Sequence, residues 1–332
     1  MATAIRTLDR GDVREAGGED IAAAVADVRV VLRLLRDGLA EMPAETSLPL
    51  DMGSADARVY ALPAGLAAPY DTVGVKWTAH RAGHAGPPRI VSLTLVNDRR
   101  SGLPIGVVES ANLTAMRTAA VSALALDVAA PIPPRRVALL GAGKQARAHL
   151  DMLATLFPHL EEVSVWNRTV TRLDAMLGRT LPWPIRRSAA VGEAIAAADA
   201  IVACTAAAMP ILDRTAVRPG RIILQVGYHE VSFEAIDACS AVVVDLWGDF
   251  WRASAKSLFQ MARAGRFEAG RVSADLAEAV HGGWRPRQDD AVYFSSFGLN
   301  VFDVALATRV LRTASAKGLG RLVPLLDDGD QA

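Results

Sequence analysis

A phenol, an imidazole and a carboxyl group follow one another at the end of a long apolar segment. The segment GRIILQVGYHE begins at Gly220 and closes with Tyr228, His229 and Glu230. His and Glu side chains act as general acids or bases when burial or a neighbouring charge brings their pKa values near neutrality. The alternative is a polar loop with no chemical role. The sequence makes His229 and Glu230 candidates for proton transfer, with Tyr228 shaping the substrate pocket.

Two cations in apolar surroundings form a second group of candidates. Lys76 lies in VGVKWTA, where Val73, Val75 and Trp77 alternate with it. Arg117 lies in NLTAMRTAAVSALA, where small residues follow it at the start of a predicted helix. A lysine in a strand commonly faces solvent, and an arginine in the first turn of a helix commonly lies on the surface. Taken alone, neither residue predicts a site.

The segment LLGAGKQA carries a dinucleotide-binding pattern between an apolar run and a helical stretch. Gly141 allows the tight turn, and Gly143 lets the backbone approach a pyrophosphate. Ala146 permits close packing of helix on strand, and phosphate binds at the helix N-terminus, where Lys144 and Gln145 stand. The strand before and the helix after supply the context that the bare pattern lacks. The sequence therefore predicts a Rossmann domain.

Residues at the end of the second strand of this domain distinguish between the two nicotinamide cofactors. An Asp or Glu there binds the ribose 2′-hydroxyl of NAD, whereas an Arg accommodates the 2′-phosphate of NADP. The sequence reads VWNRTVTR, with Asn167, Arg168, Thr169 and Arg172 and no acid. The two arginines would equally suit a solvated helix start. We expect NADP(H) to be favoured over NAD(H).

Other predicted strand ends supply further cofactor contacts, because ligands of open parallel sheets bind beyond the carboxyl ends of the strands. The residues at these ends are Thr205, Val226, Gly227, Ser296 and Gly298. The last two belong to FSSFGLN, which precedes a predicted helix. The simpler interpretation of that segment is that Asn300 caps the helix and nothing more.

A regular pattern of elements surrounds these candidates. Apolar residues from Ile21 to Leu39 recur every three or four positions, which predicts an amphipathic helix with Asp20 as its N-cap. Residues 58–111 hold four β-rich segments, and RRSGLP between the last two predicts a hairpin. From about residue 135, continuous apolar runs alternate with helical segments, which indicates a parallel sheet covered on both faces. The predicted fold class is α/β.

The composition limits the classes of function. The chain has 332 residues, with 36 Lys plus Arg and 36 Asp plus Glu, so no net field attracts nucleic acid or an anionic membrane. Cys204 and Cys239 are the only cysteines, which fits a reducing compartment and excludes a disulfide framework or a cysteine-based zinc site. The N-terminus lacks the apolar core of a signal peptide, and charges such as Asp127 interrupt the apolar stretches. We expect a cytoplasmic protein without a metal or a membrane span.

Several motifs in order resemble the ornithine cyclodeaminase/mu-crystallin family over nearly the whole chain. They are GVKW with Lys76, MRTAAVSA with Arg117, LLGAGKQARAHL, CT…MPIL, VRPGRIILQVG and FSSFGLNVFD. The resemblance implies an α+β substrate-binding and dimerisation domain from residues 1–118 and 304–332, a Rossmann domain from residues 119–303, and a homodimer. It also implies hydride transfer between a nicotinamide and the Cα of an amino acid, through an imine, with Lys76 and Arg117 holding the α-carboxylate.

Two departures from the family pattern bear on the substrate. Ornithine's distal ammonium is expected to need an acid in the RVYALP segment, where this chain has Tyr60. The family's catalytic Asp follows VG at the end of the fifth strand, where this chain has Tyr228, His229 and Glu230. The resemblance then implies that His229 or Glu230 carries the proton in place of that Asp.

The chain is more similar to the branch of this family that oxidises N-(2-amino-2-carboxyethyl)-L-glutamate to 2,3-diaminopropionate and 2-oxoglutarate in siderophore pathways. The similarity rests on LDRGDVREAGG, GVKW, ESANLTAMRTAAVS, and VVVDLWGDF followed by KSLFQMARAGRF. That substrate has three carboxylates, for which Arg58, His80 and Arg81 are candidate partners. The alternatives are an ornithine cyclodeaminase, a ketimine reductase, or an NADPH-dependent ligand-binding protein of the mu-crystallin type without turnover.

Overall fold

The computed structural model describes residues 3–50, 57–81, 90–248 and 254–326. It divides the chain into two compact units, unit 1 (Met1–Arg117 and Leu299–Ala332) and unit 2 (Thr118–Gly298). The sequence predicts boundaries one residue later at the first junction and five residues later at the second. Asp249 and Phe250 of the VVVDLWGDF motif, and Arg89 of the third predicted β-rich segment, lie outside the described residues.

The described residues form both strands and helices. The strands are β1 (Thr3–Leu8), β2 (Ala40–Glu41), β3 (Thr46–Pro49), β4 (Ala57–Leu66), β5 (Thr72–Arg81), β6 (Ile90–Asp98), β7 (Pro104–Glu109), β8 (Arg136–Leu140), β9 (Glu162–Trp166), β10 (Ile185–Arg187), β11 (Ala200–Ala203), β12 (Ile222–Gln225), β13 (Ala241–Val244), β14 (Val272–Asp275), β15 (Val292–Ser295) and β16 (Arg321–Leu326). The helices are α1 (Arg10–Glu15), α2 (Ile21–Arg36), α3 (Ala111–Ala129), α4 (Lys144–Leu156), α5 (Asp174–Leu177), α6 (Val191–Ile195), α7 (Phe233–Ala238), α8 (Ser257–Arg263) and α9 (Asn300–Lys317).

Unit 1 is built on a mixed sheet with the order β16-β1-β7-β6-β5-β4-β2, in which β3 also pairs with β4. The predicted helix and hairpin are confirmed, since Asp20 caps α2 by accepting a hydrogen bond from the Ala23 N–H and β6 pairs antiparallel with β7. Helix α9 packs on β4, β5 and β6. Gly74 permits this approach, because a Cβ there would lie 2.6 Å from the Leu95 carbonyl oxygen and 3.2 Å from Val304.

Unit 2 contains an eight-stranded sheet with the order β10-β9-β8-β11-β12-β15-β13-β14. Every pairing in it is parallel. Its central strands are buried along their whole length, as the continuous apolar runs predict for a sheet covered on both faces. The α/β fold class and the parallel sheet are confirmed.

Three local predictions need correction. Helix α2 ends at Arg36, so the exposed Leu39 lies beyond it. Asn300 does not cap α9: Leu299 occupies the N-cap position, and the Asn300 side chain instead donates to the Pro63 carbonyl. Arg117 stands in the second turn of α3 rather than the first, because the helix begins six residues earlier at Ala111. Among the described residues, no helix is long and apolar enough to cross a bilayer.

Candidate active site

Three charged side chains meet in unit 1, one from a strand and two from helices. The Lys76 Nζ of β5 lies 2.7 Å from the Asp303 Oδ2 of α9, and the Arg117 Nε of α3 lies 3.3 Å from the same oxygen. The Thr114 hydroxyl donates a 2.9 Å hydrogen bond to the other carboxylate oxygen. All three charged residues are buried. The structure thus brings together the two cations that stood out in the sequence and adds Asp303, which did not.

The charged groups of this cluster shift the pKa values of Lys76 and Asp303. Burial lowers the pKa of Lys76, the Asp303 charge opposes that effect, and Arg117 adds to it. Burial would raise the pKa of Asp303, but the positive charges of Arg117 and Lys76 hold it below its usual range. Asp303 is therefore ionised at neutral pH. The three side chains supply two cations and one carboxylate, and the more exposed Glu45 is a second acid that acts on Lys76.

Arg117 is held inside unit 1 by its helix, with its Nε directed at Asp303. Helix α3 reads ANLTAMRTAAVSALALDVA, apolar nearly all round, so it is buried and carries the guanidinium into the interior. Its Nε is buried and, among the described residues, lacks a hydrogen-bond partner of suitable geometry. A guanidinium edge binds a carboxylate through two parallel N–H bonds. Arg117 is consequently placed to recognise a carboxylate.

Further polar side chains line the face of the unit 1 sheet that carries Lys76. Directly opposed residues of neighbouring strands share a face, and Tyr60 opposes Thr78 while Arg58 opposes His80. The Tyr60 and His80 ring centroids are 5.0 Å apart, and the Arg58 Nη2 donates a 2.9 Å hydrogen bond to the Ser47 hydroxyl. His80 lies four residues from Lys76, about 13 Å along the strand. Arg58 therefore lies on the same face of the sheet as Lys76 but outside the Lys76–Arg117–Asp303 cluster.

The glycine-rich loop of unit 2 has the shape that a pyrophosphate site requires. Gly141 has a φ of +117°, and a Cβ there would lie 2.5 Å from the Cys204 carbonyl oxygen, so only glycine fits. Gly143 precedes α4 as its N-cap without a side-chain cap, next to the exposed Lys144. Ala146 is fully buried against the sheet. The first N–H groups of α4 are thus left for a phosphate.

The end of β9 adjoins this loop. The Gly141 N–H donates a 2.7 Å hydrogen bond to the Trp166 carbonyl, which fixes the segment after β9 beside the glycine loop. Asn167 closes that segment by donating to the Thr169 carbonyl at 2.8 Å. Arg168 and Arg172 are exposed, and within the described ranges neither guanidinium has an acidic partner. Gln145, at the start of α4, has a buried side-chain oxygen that no described residue satisfies.

Glu230 is tied to Thr205 across two adjacent strand ends. Thr205 follows β11, and its N–H and hydroxyl both donate to the Glu230 Oε1, at 2.5 Å and 2.9 Å. Glu230 follows β12 and is fully buried, and its Oε2 has no hydrogen-bond partner among the described residues. Burial raises the pKa of Glu230 to about 7, against the opposing effects of Thr205 and Lys256. Two predicted site residues are thereby brought together.

The other residues of the VGYHE segment are more accessible than Glu230. Tyr228 is exposed, and His229 is half-buried with its Nδ1 3.1 Å from the Ser257 hydroxyl. Burial lowers the pKa of His229, so its imidazole is neutral at pH 7 and able to accept a proton. Val226 and Gly227 are held to β11 by N–H bonds to the Ala203 carbonyl, at 2.9 Å and 3.1 Å.

Two buried residues of unit 2 were not anticipated from the sequence. Asp245 follows β13 and accepts the Phe297 and Gly298 N–H groups at 2.9 Å and 2.8 Å, and the Ser296 hydroxyl at 3.3 Å. Lys256 precedes α8 and donates from its Nζ to the Val226 carbonyl at 2.5 Å. The available signal was a lone charge beside an apolar run, VVVD in one case and AKSLF in the other. In the described part of the chain, no His, Cys, Asp and Glu side chains group in a way that could hold a metal ion.

Comparison with known proteins gives matches over nearly the full length. The model of the ornithine cyclodeaminase/mu-crystallin family matches residues 13–318. The chain is 26% identical over 311 residues to the NAD(P)H-dependent anabolic L-arginine dehydrogenase DauB of Pseudomonas aeruginosa, covering 92% of this chain and 97% of the relative. It is 24% identical over 334 residues to the N-((2S)-2-amino-2-carboxyethyl)-L-glutamate dehydrogenase of Staphylococcus aureus, covering 96% and 98%.

A solved structure supports the same fold. The Δ(1)-pyrroline-2-carboxylate reductase of Thermococcus litoralis, in complex with NADH and L-proline, superposes with a TM-score of 0.86 at 24% identity. The superposition covers 96% of this chain and 100% of that one. The similarity extends to both units, so the combination of a Rossmann-type sheet with a second sheet domain is shared.

Proposed function

We propose that this chain, which belongs to the ornithine cyclodeaminase/mu-crystallin family, oxidises an amino acid of the N-(2-amino-2-carboxyethyl)-L-glutamate type. Its relatives make it an NAD(P)-dependent oxidoreductase of amino acids or imines. The specific reaction is a proposal supported by the Staphylococcus aureus relative and by the motifs of that branch. It would supply 2,3-diaminopropionate for a siderophore.

The observation that carries the proposal is the buried Lys76–Arg117–Asp303 cluster, in which two basic side chains meet one carboxylate. The α-carboxylate of the substrate would accept hydrogen bonds from Arg117 and Lys76, which orients the Cα–N bond. Arg58 and His80, on the same sheet face, are the candidate partners of a more distant carboxylate. Burial and the charge of Lys76 lower the pKa of His80, so Arg58 would supply the positive charge and the neutral imidazole of His80 an N–H donor for that carboxylate.

The residues of this chain divide the chemical work as follows. The glycine loop of unit 2 would hold the pyrophosphate of the cofactor, whose nicotinamide would supply the chemistry of hydride exchange with Cα. Oxidation also removes one proton from the substrate nitrogen, and water then hydrolyses the resulting imine to an amine and a keto acid. The lowered pKa of Lys76 suits it to relay that proton. His229 or Glu230 would take the proton of the attacking water, and Glu230, with a pKa of about 7, is poised for either direction.

Ornithine is a less suitable substrate, because the acid that acts on Tyr60 and Lys76 is Glu45 and does not stand at the position that the family pattern requires. The position expected to hold an acid for its distal ammonium is occupied by Tyr60, which is half-buried beside His80. Reduction of a ketimine also requires Lys76 and Arg117 to bind the substrate carboxylate. It is the second candidate reaction for these residues.

An absorbance assay tests the proposal directly. The protein would be mixed with NAD⁺ or NADP⁺ and a panel of amino acids, including N-(2-amino-2-carboxyethyl)-L-glutamate and ornithine, and with NADH or NADPH and cyclic imines. We expect nicotinamide reduction with N-(2-amino-2-carboxyethyl)-L-glutamate at the highest kcat/KM. Turnover only with ornithine or only with cyclic imines would replace the proposed substrate. Tight cofactor binding without turnover of any compound would indicate a binding protein.

Arg168 provides a test of cofactor preference, which we propose to be NADP(H). Arg168→Ala is expected to weaken NADPH binding by about 10- to 150-fold, because a charge-assisted contact to the 2′-phosphate contributes about 1.5–3 kcal/mol. NADH binding should be unchanged, and the two affinities can be measured by nicotinamide fluorescence. Arg266→Ala, at an exposed arginine paired with Glu234 and Asp237 in the same unit, is the control. Equal NADPH affinity in wild type and Arg168→Ala would show that the phosphate is bound elsewhere.

The proposed homodimer is supported by an exposed apolar sheet face in unit 1. Trp77, which opposes Leu93 on β6, is 49% exposed, and Leu93 is 43% exposed. They lie on the face opposite Lys76, with Val73 and Val91 also exposed. A contiguous apolar patch of this kind marks a protein–protein interface, and two copies of one chain bury it symmetrically.

Trp77→Asp should convert the dimer to a monomer, because the new carboxylate would be buried without a partner at the centre of the patch. Light scattering coupled to size exclusion reports the mass. Val170→Asp, at a residue of unit 2 that is 47% exposed, is the matched control and should leave the mass unchanged. A wild-type monomer, or a Trp77→Asp dimer, would exclude the apolar face as the interface.

We also propose a cytoplasmic location for the protein. Cys204 and Cys239 are both free thiols, which suits a reducing compartment.

A further inference from the structure

Two buried carboxyl groups join neighbouring loops at the strand ends of unit 2. Glu230 connects the loop after β12 to Thr205 after β11. Asp245 connects the end of β13 to Phe297 and Gly298 after β15. The sheet order places β12 beside both β11 and β15, and β15 beside β13. The two carboxyl groups thus fix the loops along four adjacent strands, which include the predicted cofactor contacts.

Lys256 is the cation of this region. Its side chain is buried, its Nζ donates to the Val226 carbonyl at 2.5 Å, and the same nitrogen lies 5.7 Å from the centre of the Tyr228 ring. Its charge lowers the pKa of both Glu230 and Asp245, each of which burial raises. A buried lysine costs free energy unless it is paired with such groups.

We propose that Lys256 is a positioning residue for the nicotinamide end of the cofactor site, where its ammonium group fixes the Val226 carbonyl, one residue before the Gly227 against which the Glu230 carboxyl group lies. The inference rests on the proposed function for its reference to a nicotinamide. It adds a residue that the Rossmann pattern does not include, since Lys256 stands more than a hundred residues after the glycine loop. The contact to Val226 and the ionisation of Glu230 are its two consequences.

The groups that face Glu230 leave Lys256 as its main electrostatic partner. From β11 comes the Cys204 thiol, whose pKa burial and the Glu230 charge raise, and from β15 comes the Tyr293 phenol, whose pKa is raised by burial and other effects including Glu230. Both are neutral at pH 7. Asp245 is a second acid near the same ammonium. Among the groups that influence the pKa of Glu230, Lys256 is the one that carries a positive charge.

The sign of the pH dependence follows from the raised pKa of Glu230. Its pKa of about 7 in the folded protein exceeds its ordinary value of 4.5. Between these values the unfolded chain loses the proton while the folded chain keeps it, so this group makes stability fall as pH rises from about 4.5 to 7. Above pH 7, Glu230 is ionised in both states and its effect on the free energy of unfolding no longer changes with pH. Removal of Lys256 would raise the folded pKa further and extend the fall to higher pH.

A comparison of four variants tests the inference without cofactor. The free energy of unfolding by urea would be measured from pH 4.5 to 9 for wild type, Glu230→Gln, Lys256→Met and the double variant. The wild type minus Glu230→Gln difference isolates Glu230 and should level off near pH 7, which removes the contribution of other groups such as His149. The corresponding difference between Lys256→Met and the double variant isolates Glu230 in the absence of Lys256. We expect this difference to level off at least one pH unit higher. Coincident curves would overturn the inference.

The same proteins connect the electrostatic coupling to the cofactor. Lys256→Met should weaken nicotinamide cofactor binding at least tenfold at pH 7, and Lys256→Arg should retain most of it. If Lys256→Met does not fold, Lys256→Gln takes its place. We expect it to raise the pH at which the contribution of Glu230 to stability levels off, and to weaken cofactor binding in the same way. Wild-type affinity in a folded Lys256→Met protein would refute the positioning role. Failure of the wild type to bind either cofactor would refute the proposed function, while the unfolding curves would still decide the coupling.

Discussion

Asp303→Asn is expected to destabilise the protein by about 3–5 kcal/mol, the range found when one partner of a buried ion pair is removed. The substitution leaves Lys76 and Arg117 buried without their shared carboxylate. An amide oxygen accepts hydrogen bonds from them but carries no charge. Urea unfolding at pH 7 measures the loss, and we expect the remaining stability to limit the yield of folded protein.

The control for this prediction is a surface pair of the same chemistry. Asp174→Asn breaks the ion pair of the exposed Asp174 with Arg187 and should cost less than about 1 kcal/mol. The double variant Lys76→Met/Asp303→Asn removes one of the stranded cations and should regain part of the loss. An Asp303→Asn protein within 0.5 kcal/mol of wild type would mean that water reaches the cluster.

Arg117→Met is expected to lower kcat/KM at least tenfold, because the carboxylate of the substrate loses its oriented donor. Methionine keeps the apolar stem of the arginine, and Asp303 keeps Lys76 and Thr114 as partners. The fold should therefore survive. Arg117→Lys should give an intermediate rate, because a point charge cannot form the two parallel bonds of a guanidinium.

Cofactor affinity separates this effect from general damage. Arg117 belongs to unit 1, whereas the glycine loop belongs to unit 2. Nicotinamide fluorescence should thus report the same dissociation constant for Arg117→Met and wild type. A variant with normal kcat/KM would exclude Arg117 as the carboxylate ligand and would leave Lys76 as the next candidate.

The features of the fold that could be predicted from the sequence are mostly those set by short segments. The Gly141–Gly143–Ala146 spacing, the apolar runs and the period of α2 each reflect requirements within a few residues of one another. Strand β16 was not predicted, because its pairing with β1 joins residues about three hundred positions apart. Such a pairing depends on which edge of the sheet is vacant, and no short segment contains that information.

In the candidate site too, some residues could be predicted from their local sequence and others could not. Lys76 and Arg117 stood out as charges within apolar segments, and their burial agrees with that signal. Asp303 was overlooked although it is a lone acid in the apolar stretch NVFDVALA, because an acid in the first turn of a helix has an ordinary explanation in the helix dipole. Charges that face each other across the fold have to be matched by sign, and a sequence does not state which pairs meet.

The 227 positions between Lys76 and Asp303 also have a consequence for how the protein is made. During synthesis on the ribosome, Lys76 and Arg117 emerge long before the helix that carries their counter-charge, and all of unit 2 is translated in between. The two cations must stay hydrated until α9 arrives, since a lone buried charge is costly. Unit 2 is continuous in sequence, whereas unit 1 needs the segment that follows it, so the proposed substrate site cannot form until α9 docks.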